Sequence, residues 1–151
     1  MLAQMTDVVL RPAAAKDFPT ISRLIKQVRI NPTGLDWHRF VVAVDGEGML
    51  IGCGQLKPHR RGIVELASIA VVPSCRQRGI ARLIIEHLLV LAPRPLYLTC
   101  RSRLGSFYMN WGFRALDFAE MPLYYRRLAK VMSIVGKLFL PDERLLVMVL
   151  Q

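Results

Sequence analysis

The stretch IVELASIAVVPSCRQRGIARLIIEHLLVL, residues 63–91, joins two hydrophobic patterns through a basic loop. Its first part, Ile63 to Val72, is a β-prone run that turns apolar on both faces near its end. Pro73 stops it, because proline has no amide to give a ladder. Its last part, from about Gly79 to Leu91, sets Ile80, Leu83, Ile84, Leu88 and Leu91 at helical spacing, so these five are expected to face inward. A strand, a short loop and a glycine opening a helix make an anion-binding layout, since backbone amides and the helix dipole converge at the helix start. Gly79 lets the backbone approach a ligand, the small Ala81 leaves room for it, and Arg76 and Arg78 bring positive charge.

On the N-terminal side, Val8 to Leu10 reads as a short strand, and Phe18, Ile21, Leu24, Ile25 and Val28 as a helix face. Asn31 to Asp36 is dense in turn formers and predicts an exposed loop. Phe40 to Val44 and Met49 to Leu56, joined by Asp45-Gly46-Glu47-Gly48, predict a hairpin, with a second turn at Lys57 to Gly62. On the C-terminal side, Pro93 and Pro95 break the helix and Leu96 to Cys100 is a strand without charge. A short helix from about Gly105 to Trp111 ends at Gly112, a strand starts over Phe113 to Leu116, a basic amphipathic helix covers Leu123 to Leu140, and Leu145 to Leu150 closes the chain as a strand. The order β-α-β-β-β-α-β-α-β-α-β predicts a mixed α/β domain spanning residues 1–151 as one unit, without repeats or a linker.

Composition removes several classes. At 53% hydrophobic and 21% charged residues, the chain is too apolar for a disordered one. Arg82, Glu86 and His87, and later Arg126, Arg127, Lys130 and Lys137, interrupt its apolar stretches, so no transmembrane segment is expected. The start lacks the layout of a secretory signal, which points to a cytoplasmic protein. Cys53, Cys75 and Cys100 form no CxxC pair and read as buried or incidental thiols; no metal is expected. The formal net charge of +10 attracts anions, whether nucleic acid, lipid headgroups or a phosphorylated cofactor. The basic residues are scattered and no RNA-binding aromatic motif or Cys/His finger accompanies them, which argues against nucleic acid.

Arg76-Gln77-Arg78-Gly79-Ile80-Ala81 resembles the Q/R-x-x-G-x-G/A acyl-CoA pyrophosphate loop of the GNAT superfamily of N-acetyltransferases. Phe107-Tyr108-Met109-Asn110-Trp111-Gly112-Phe113 is similar to the F-Y-x-x-x-G-F segment of that family's later helix. The resemblance covers roughly Val8 to Phe113. It implies a GNAT-type mixed, mostly antiparallel central sheet of six to seven strands flanked by helices. It also implies transfer of an acetyl group from acetyl-CoA, as co-substrate, to an amine acceptor in a ternary complex.

Carried over by position, the resemblance implies that backbone groups of Ile69, Ala70 and Val71 pair with the pantetheine arm and that the amides of Arg76, Gln77, Arg78, Gly79, Ile80 and Ala81 hold the pyrophosphate. An amide near Val71 would polarise the thioester carbonyl. Tyr108 matches the tyrosine that protonates the departing thiolate in many members; a packed aromatic is the alternative. Glu65, fourteen residues before Gly79 like the glutamate of histone-acetylating members, is the expected proton acceptor; a charge at the solvated start of a strand, with water taking the proton, is the alternative. Ser102 stands where many relatives place an asparagine that contacts CoA. Thr33, Asp36 and Trp37 lie in the loop where members contact the acceptor, and a well-formed turn over a buried Trp37 explains the same residues. A non-catalytic acyl-CoA-binding regulatory module would keep the loop without needing Glu65 or Tyr108. His38 and His59 read as surface histidines and His87 has no assigned role. The basic stretch Tyr124 to Phe139 reads first as a core-facing helix with a solvated side, and otherwise as a lid, a homodimer surface or an anionic membrane contact.

Overall fold

The computed structural model describes residues 7–139 and 143–151. Leu140, the expected last residue of the basic helix, lies outside them, as does the start of the chain before Asp7. Contacts divide the chain into two units, Met1–Ala92 and Pro93–Gln151.

The first unit holds β1 (Val9–Pro12), α1 (Phe18–Gln27), β2 (Phe40–Val44), β3 (Leu50–Pro58), β4 (Val64–Val71) and α2 (Ile80–Leu91). Its strands lie in sequence order and every pairing is antiparallel. β1 runs through Pro12 rather than stopping before it, a position an edge strand tolerates because one row of its amides has no strand to bond. Side chains alternate across a strand, so β3 serves two layers. Cys53 joins Phe40, Val42 and Ala70 under Ile21, Leu24 and Ile25 of α1. Gly52 and Gly54 point the other way, where Ile80, Ile84 and Leu88 of α2 and Ile69 of β4 come so close that a Cβ on either glycine would crowd them. The buried face of α2 is therefore Ile80, Ile84, Ile85 and Leu88. Leu91, expected inward, shares the face of Ile84 but is the last residue of α2 and is 61% exposed, and Leu83 is only half-buried.

Asp17 fastens the entry to α1. Its carboxylate accepts from Arg11 Nη1 at 2.7 Å, Arg11 Nη2 at 3.0 Å and Ala14 N at 2.7 Å, which ties the helix start back to β1. The Arg11 hydrogen bond holds the Asp17 carboxyl below the usual carboxylate range, against the opposing effect of burial.

The second unit holds β5 (Leu96–Arg101), α3 (Gly105–Met109), β6 (Arg114–Ala115), α4 (Leu123–Phe139) and β7 (Leu145–Leu150), with β7 antiparallel to both β5 and β6. Gly105 is buried where a Cβ would stand 2.8 Å from Leu146 Cδ1, and Gly112 ends the helical segment at φ 92°. Tyr125 anchors α4: it is fully buried and tilts against Tyr97 with ring centres 5.5 Å apart. Beyond it the expectation of a core-facing helix fails, since every residue from Lys130 to Val135 is exposed. Among the described residues the seven strands, paired antiparallel within each unit and flanked by helices, give the mixed α/β class expected.

Candidate functional site

A break in the β3–β4 ladder organises the site of the first unit. Cys53 pairs with Ala70 but Gln55 pairs with Ala67, so Ser68 and Ile69 together oppose Gly54 alone. Two residues against one form a β-bulge, and Ser68 takes the left-handed conformation at φ 58° to make it. Strain of this kind in a serine persists only where neighbours hold it. Gln55 does so: fully buried, it donates from Nε2 to Ser68 Oγ at 2.9 Å, while its Oε1 has no hydrogen-bond partner among the described residues. The bulge thus separates the half of β4 that carries Glu65 from the half that carries Ala70 and Val71. The sequence reading missed Gln55, although a lone amide inside LIGCGQLKP was a signal.

Glu65 is buried at 8% exposure, which corrects the reading of a solvated strand start. His59 is no surface residue either. Its side chain is 10% exposed, and its Nε2 donates to Glu65 Oε2 at 3.2 Å. Arg61 and Gly62, at φ 62° and 74°, wind the turn that lets His59 N donate to Ile63 O at 2.7 Å and folds the imidazole back over the strand. Lys57 is the register partner of Glu65 and reaches from the same end of the hairpin to Thr33, whose carbonyl accepts from Nζ at 3.3 Å. The acceptor loop expected from the sequence is therefore tethered at the Glu65 end of β3 and β4. Within that loop Thr33 Oγ1 donates to Asn31 Oδ1 at 2.7 Å. Asp36 accepts from His38 Nδ1 at 2.7 Å and from His38 N at 3.1 Å, bonds that hold its carboxyl below the usual range. Trp37 is half-buried rather than buried and stacks on the His38 ring at 3.7 Å.

After β4 the chain makes one helical turn at Pro73–Cys75 and enters α2 through Gln77 at φ 64° and Gly79 at φ 76°. A Cβ at Gly79 would meet nothing within 4 Å, so its backbone conformation and not crowding requires glycine. Among the described residues no side chain caps α2, and no acid sits in its first turn, so the helix start carries the positive end of the helix dipole unopposed there. Arg76, Gln77, Arg78 and Gly79 are exposed there, with Ile80 buried and Ala81 half-buried behind them. A pocket of about 430 Å³ is lined by Cys75 and Arg78 of the loop and also by Asp7, Asp45 and Glu47. Those carboxylates would oppose an anion in that pocket.

In the second unit Tyr108 is half-buried in an aromatic cluster, edge-on to Phe107 at 5.2 Å and to Phe113 at 6.1 Å. Burial, with a smaller contribution from Cys100, pushes its hydroxyl up to about 12, so it stays protonated near neutral pH. Ser102 is half-buried and bonded to Arg144: its N donates to Arg144 O at 2.8 Å and its Oγ accepts from Arg144 N at 3.3 Å. Burial pushes the Cys53 and Cys100 thiols to about 12 and about 11. Among the described residues no group of three or more His, Cys, Asp or Glu is placed to hold a metal ion.

A family model for the acetyltransferase (GNAT) domain matches residues 36–115, more than half of the chain. The chain belongs to the GNAT family. A sequence comparison with curated proteins finds no match. Among solved structures, this GNAT chain is similar to N-acetylglutamate synthase from Neisseria gonorrhoeae complexed with coenzyme A and L-arginine, at 20% identity and a TM-score of 0.70 over 93% of this chain and 32% of that one. It therefore spans about a third of the length of that synthase. It is also similar to Rv2747 from Mycobacterium tuberculosis in complex with CoA and NLQ, at 21% identity and a TM-score of 0.72 over 95% and 99% of the two chains. A third similar structure is Arabidopsis thaliana NAA60 in complex with a bisubstrate analogue, at 19% identity and a TM-score of 0.57 over 73% and 85%. At these identities the likeness extends to the GNAT fold, and two of these structures hold coenzyme A.

Proposed function

We propose that this GNAT domain is an N-acetyltransferase that passes an acetyl group from acetyl-CoA to a primary amine by direct attack within a ternary complex. The observation that carries this reading is the buried Glu65 bonded by His59, on the strand whose bulge precedes the anion-binding loop. A module that only bound acyl-CoA would have no use for a sequestered carboxyl there.

In the proposed reaction the amine nitrogen attacks the thioester carbonyl, the carbon–sulfur bond breaks, and an amide and a CoA thiol result. Glu65, directly or through water, takes the proton from the incoming ammonium so that a neutral nitrogen attacks. Backbone groups of Ile69, Ala70 and Val71 hold the pantetheine arm, and an amide near Val71 faces the carbonyl oxygen as charge develops on it. The amides from Arg76 to Ala81 hold the pyrophosphate. Tyr108 gives its proton to the departing thiolate. Cys53 and Cys100 remain thiols near neutral pH, which speaks against an acyl-cysteine intermediate at either.

The acceptor is a small amine, an amino acid or a protein amine. The positive field and the likeness to N-acetylglutamate synthase make acidic amino acids the first to try. Calorimetric titration with acetyl-CoA, followed by thiol release over an amine panel, tests the reading. Binding with release on one amine class is expected. Binding without release on any amine makes the domain a regulatory module, and no binding removes the reading altogether. Glu65→Gln should lower turnover by about 10²–10⁴-fold while leaving acetyl-CoA affinity in place.

A further inference from the structure

α4 is the part of the molecule that the acetyl-transfer reading leaves unused. Its seventeen residues carry Arg126, Arg127, Lys130 and Lys137 and no acid. Residues three and four apart share a helix face, so Tyr124, Val131 and Val135 form one stripe and Leu123, Arg127, Lys130 and Ile134 the adjoining one. Tyr125, on another face, is the side chain that fastens the helix to its unit. The two stripes face water: Val131 is 56% exposed, Ile134 67%, and Leu123, Tyr124 and Val135 are exposed as well. Phe118, itself exposed, lies under Lys130 Nζ at 5.6 Å and Arg126 at 6.0 Å, which sets an aromatic ring among the cations. A solvated helix would not hold this many large apolar side chains in water beside its charges.

We infer that α4 docks this protein onto a membrane surface bearing anionic lipid, with Tyr124, Val131, Ile134 and Val135 entering the acyl boundary and Arg127 and Lys130 meeting the headgroup phosphates. Charge complementarity decides the occupant. A second copy seated on α4 through a two-fold axis would oppose like charges with no acid on either helix to balance them. A nucleic-acid backbone would satisfy the cations and leave the apolar stripe in water. An anionic bilayer surface takes both, with the helix lying in the interface plane. Among the described residues no helix is long and apolar enough to cross a membrane, so the contact is peripheral.

Co-sedimentation of the full chain with phosphatidylcholine vesicles, with and without phosphatidylglycerol, tests this. Binding to the phosphatidylglycerol vesicles alone, falling as salt rises, is expected. Arg127→Glu should lower the partition coefficient by at least about fivefold, the worth of one cation at such a surface. Ile134→Asp should lower it by about tenfold or more. Both side chains are exposed, so the melting temperature and acetyl-CoA titration of each variant should match the wild type. Equal binding to both vesicle types, or to neither, overturns the inference. So does loss of binding in Arg127→Glu but not in Ile134→Asp, which would mark a purely electrostatic surface. A dimer in sedimentation equilibrium that Ile134→Asp separates would assign the face to self-association and overturn it too.

Discussion

Gly54→Ala tests whether the bulge in β4 depends on close packing beneath it. The added Cβ would stand 2.6 Å from Ile69 Cδ1, 2.7 Å from Ile84 Cγ2 and 3.1 Å from Leu88 Cδ1. Carbon atoms rest at about 3.5–4.0 Å, so Ile69 and Ile84 must each withdraw by about 1 Å. They sit on β4 and α2, and a rotamer change in one does not relieve the other. Overpacking of this kind costs about 1–3 kcal/mol, while replacing a strand glycine by alanine returns about 0.5–1 kcal/mol through the unfolded chain. With two contacts below 3.0 Å the overpacking cost lies toward the upper end of its range, and the net loss reaches up to about 2.5 kcal/mol, at about 2–4 °C of melting temperature per kcal/mol. Ile69 is a bulge residue, so its displacement also moves the backbone leading into Ala70 and Val71, and acetyl-CoA affinity should fall with stability. Urea unfolding at constant slope gives the first quantity and calorimetric titration the second. Gly48→Ala is the control: at φ 79° with nothing within 4 Å, it carries a backbone cost of about 1–2 kcal/mol and should leave acetyl-CoA binding unchanged. Unaltered stability and affinity in Gly54→Ala would refute the coupling of packing to the bulge.

Tyr108→Phe should lower turnover and keep acetyl-CoA affinity; equal turnover removes the hydroxyl from the mechanism. The same change should alter alkaline stability, because a hydroxyl raised from 10.0 to about 12 ionises first in the unfolded chain. Wild type therefore loses stability between those pH values, and the phenylalanine variant should lose less. Gly79→Glu should abolish acetyl-CoA binding, since it sets a carboxylate at the phosphate site and a side chain at φ 76°; unchanged calorimetric affinity would discard the loop. Asp17→Asn should destabilise the fold by about 1.5–3 kcal/mol at neutral pH, the worth of hydrogen bonds to a charged group. Its depressed carboxyl gives stability that is present above pH 3.8 and lost as pH falls through the lower folded value, so unfolding curves of variant and wild type should converge in acid.

The element order was legible because each element of the first unit carries a single period. Phe40 to Val44 and the α2 run declare their type within a few residues, and Pro73 and Gly79 mark the boundary between strand and loop chemistry. What failed needed three dimensions. Periodicity states that α4 has an apolar stripe, but not whether another element covers it, so a helix exposed from Lys130 to Val135 reads the same as a buried one. His59 and Glu65 stand six residues apart, a spacing that belongs to no regular period, and they meet only because Arg61 and Gly62 both take positive φ.

Gln55 shows the limit from the other side. Its identity was visible as one polar residue in an apolar strand, but its meaning depends on a ladder slip that places Ser68 opposite the glycine beside it. A buried amide with an orphaned oxygen costs about 1–3 kcal/mol. A hydrophobic residue of similar volume would avoid that cost, and would also release Ser68 from the conformation that separates the Glu65 half of β4 from the Ala70 half. The strand therefore keeps a destabilising residue at the point where its own regularity has to be broken, and that is why the clearest irregularity in the first unit lies between the proposed proton acceptor and the proposed cofactor edge.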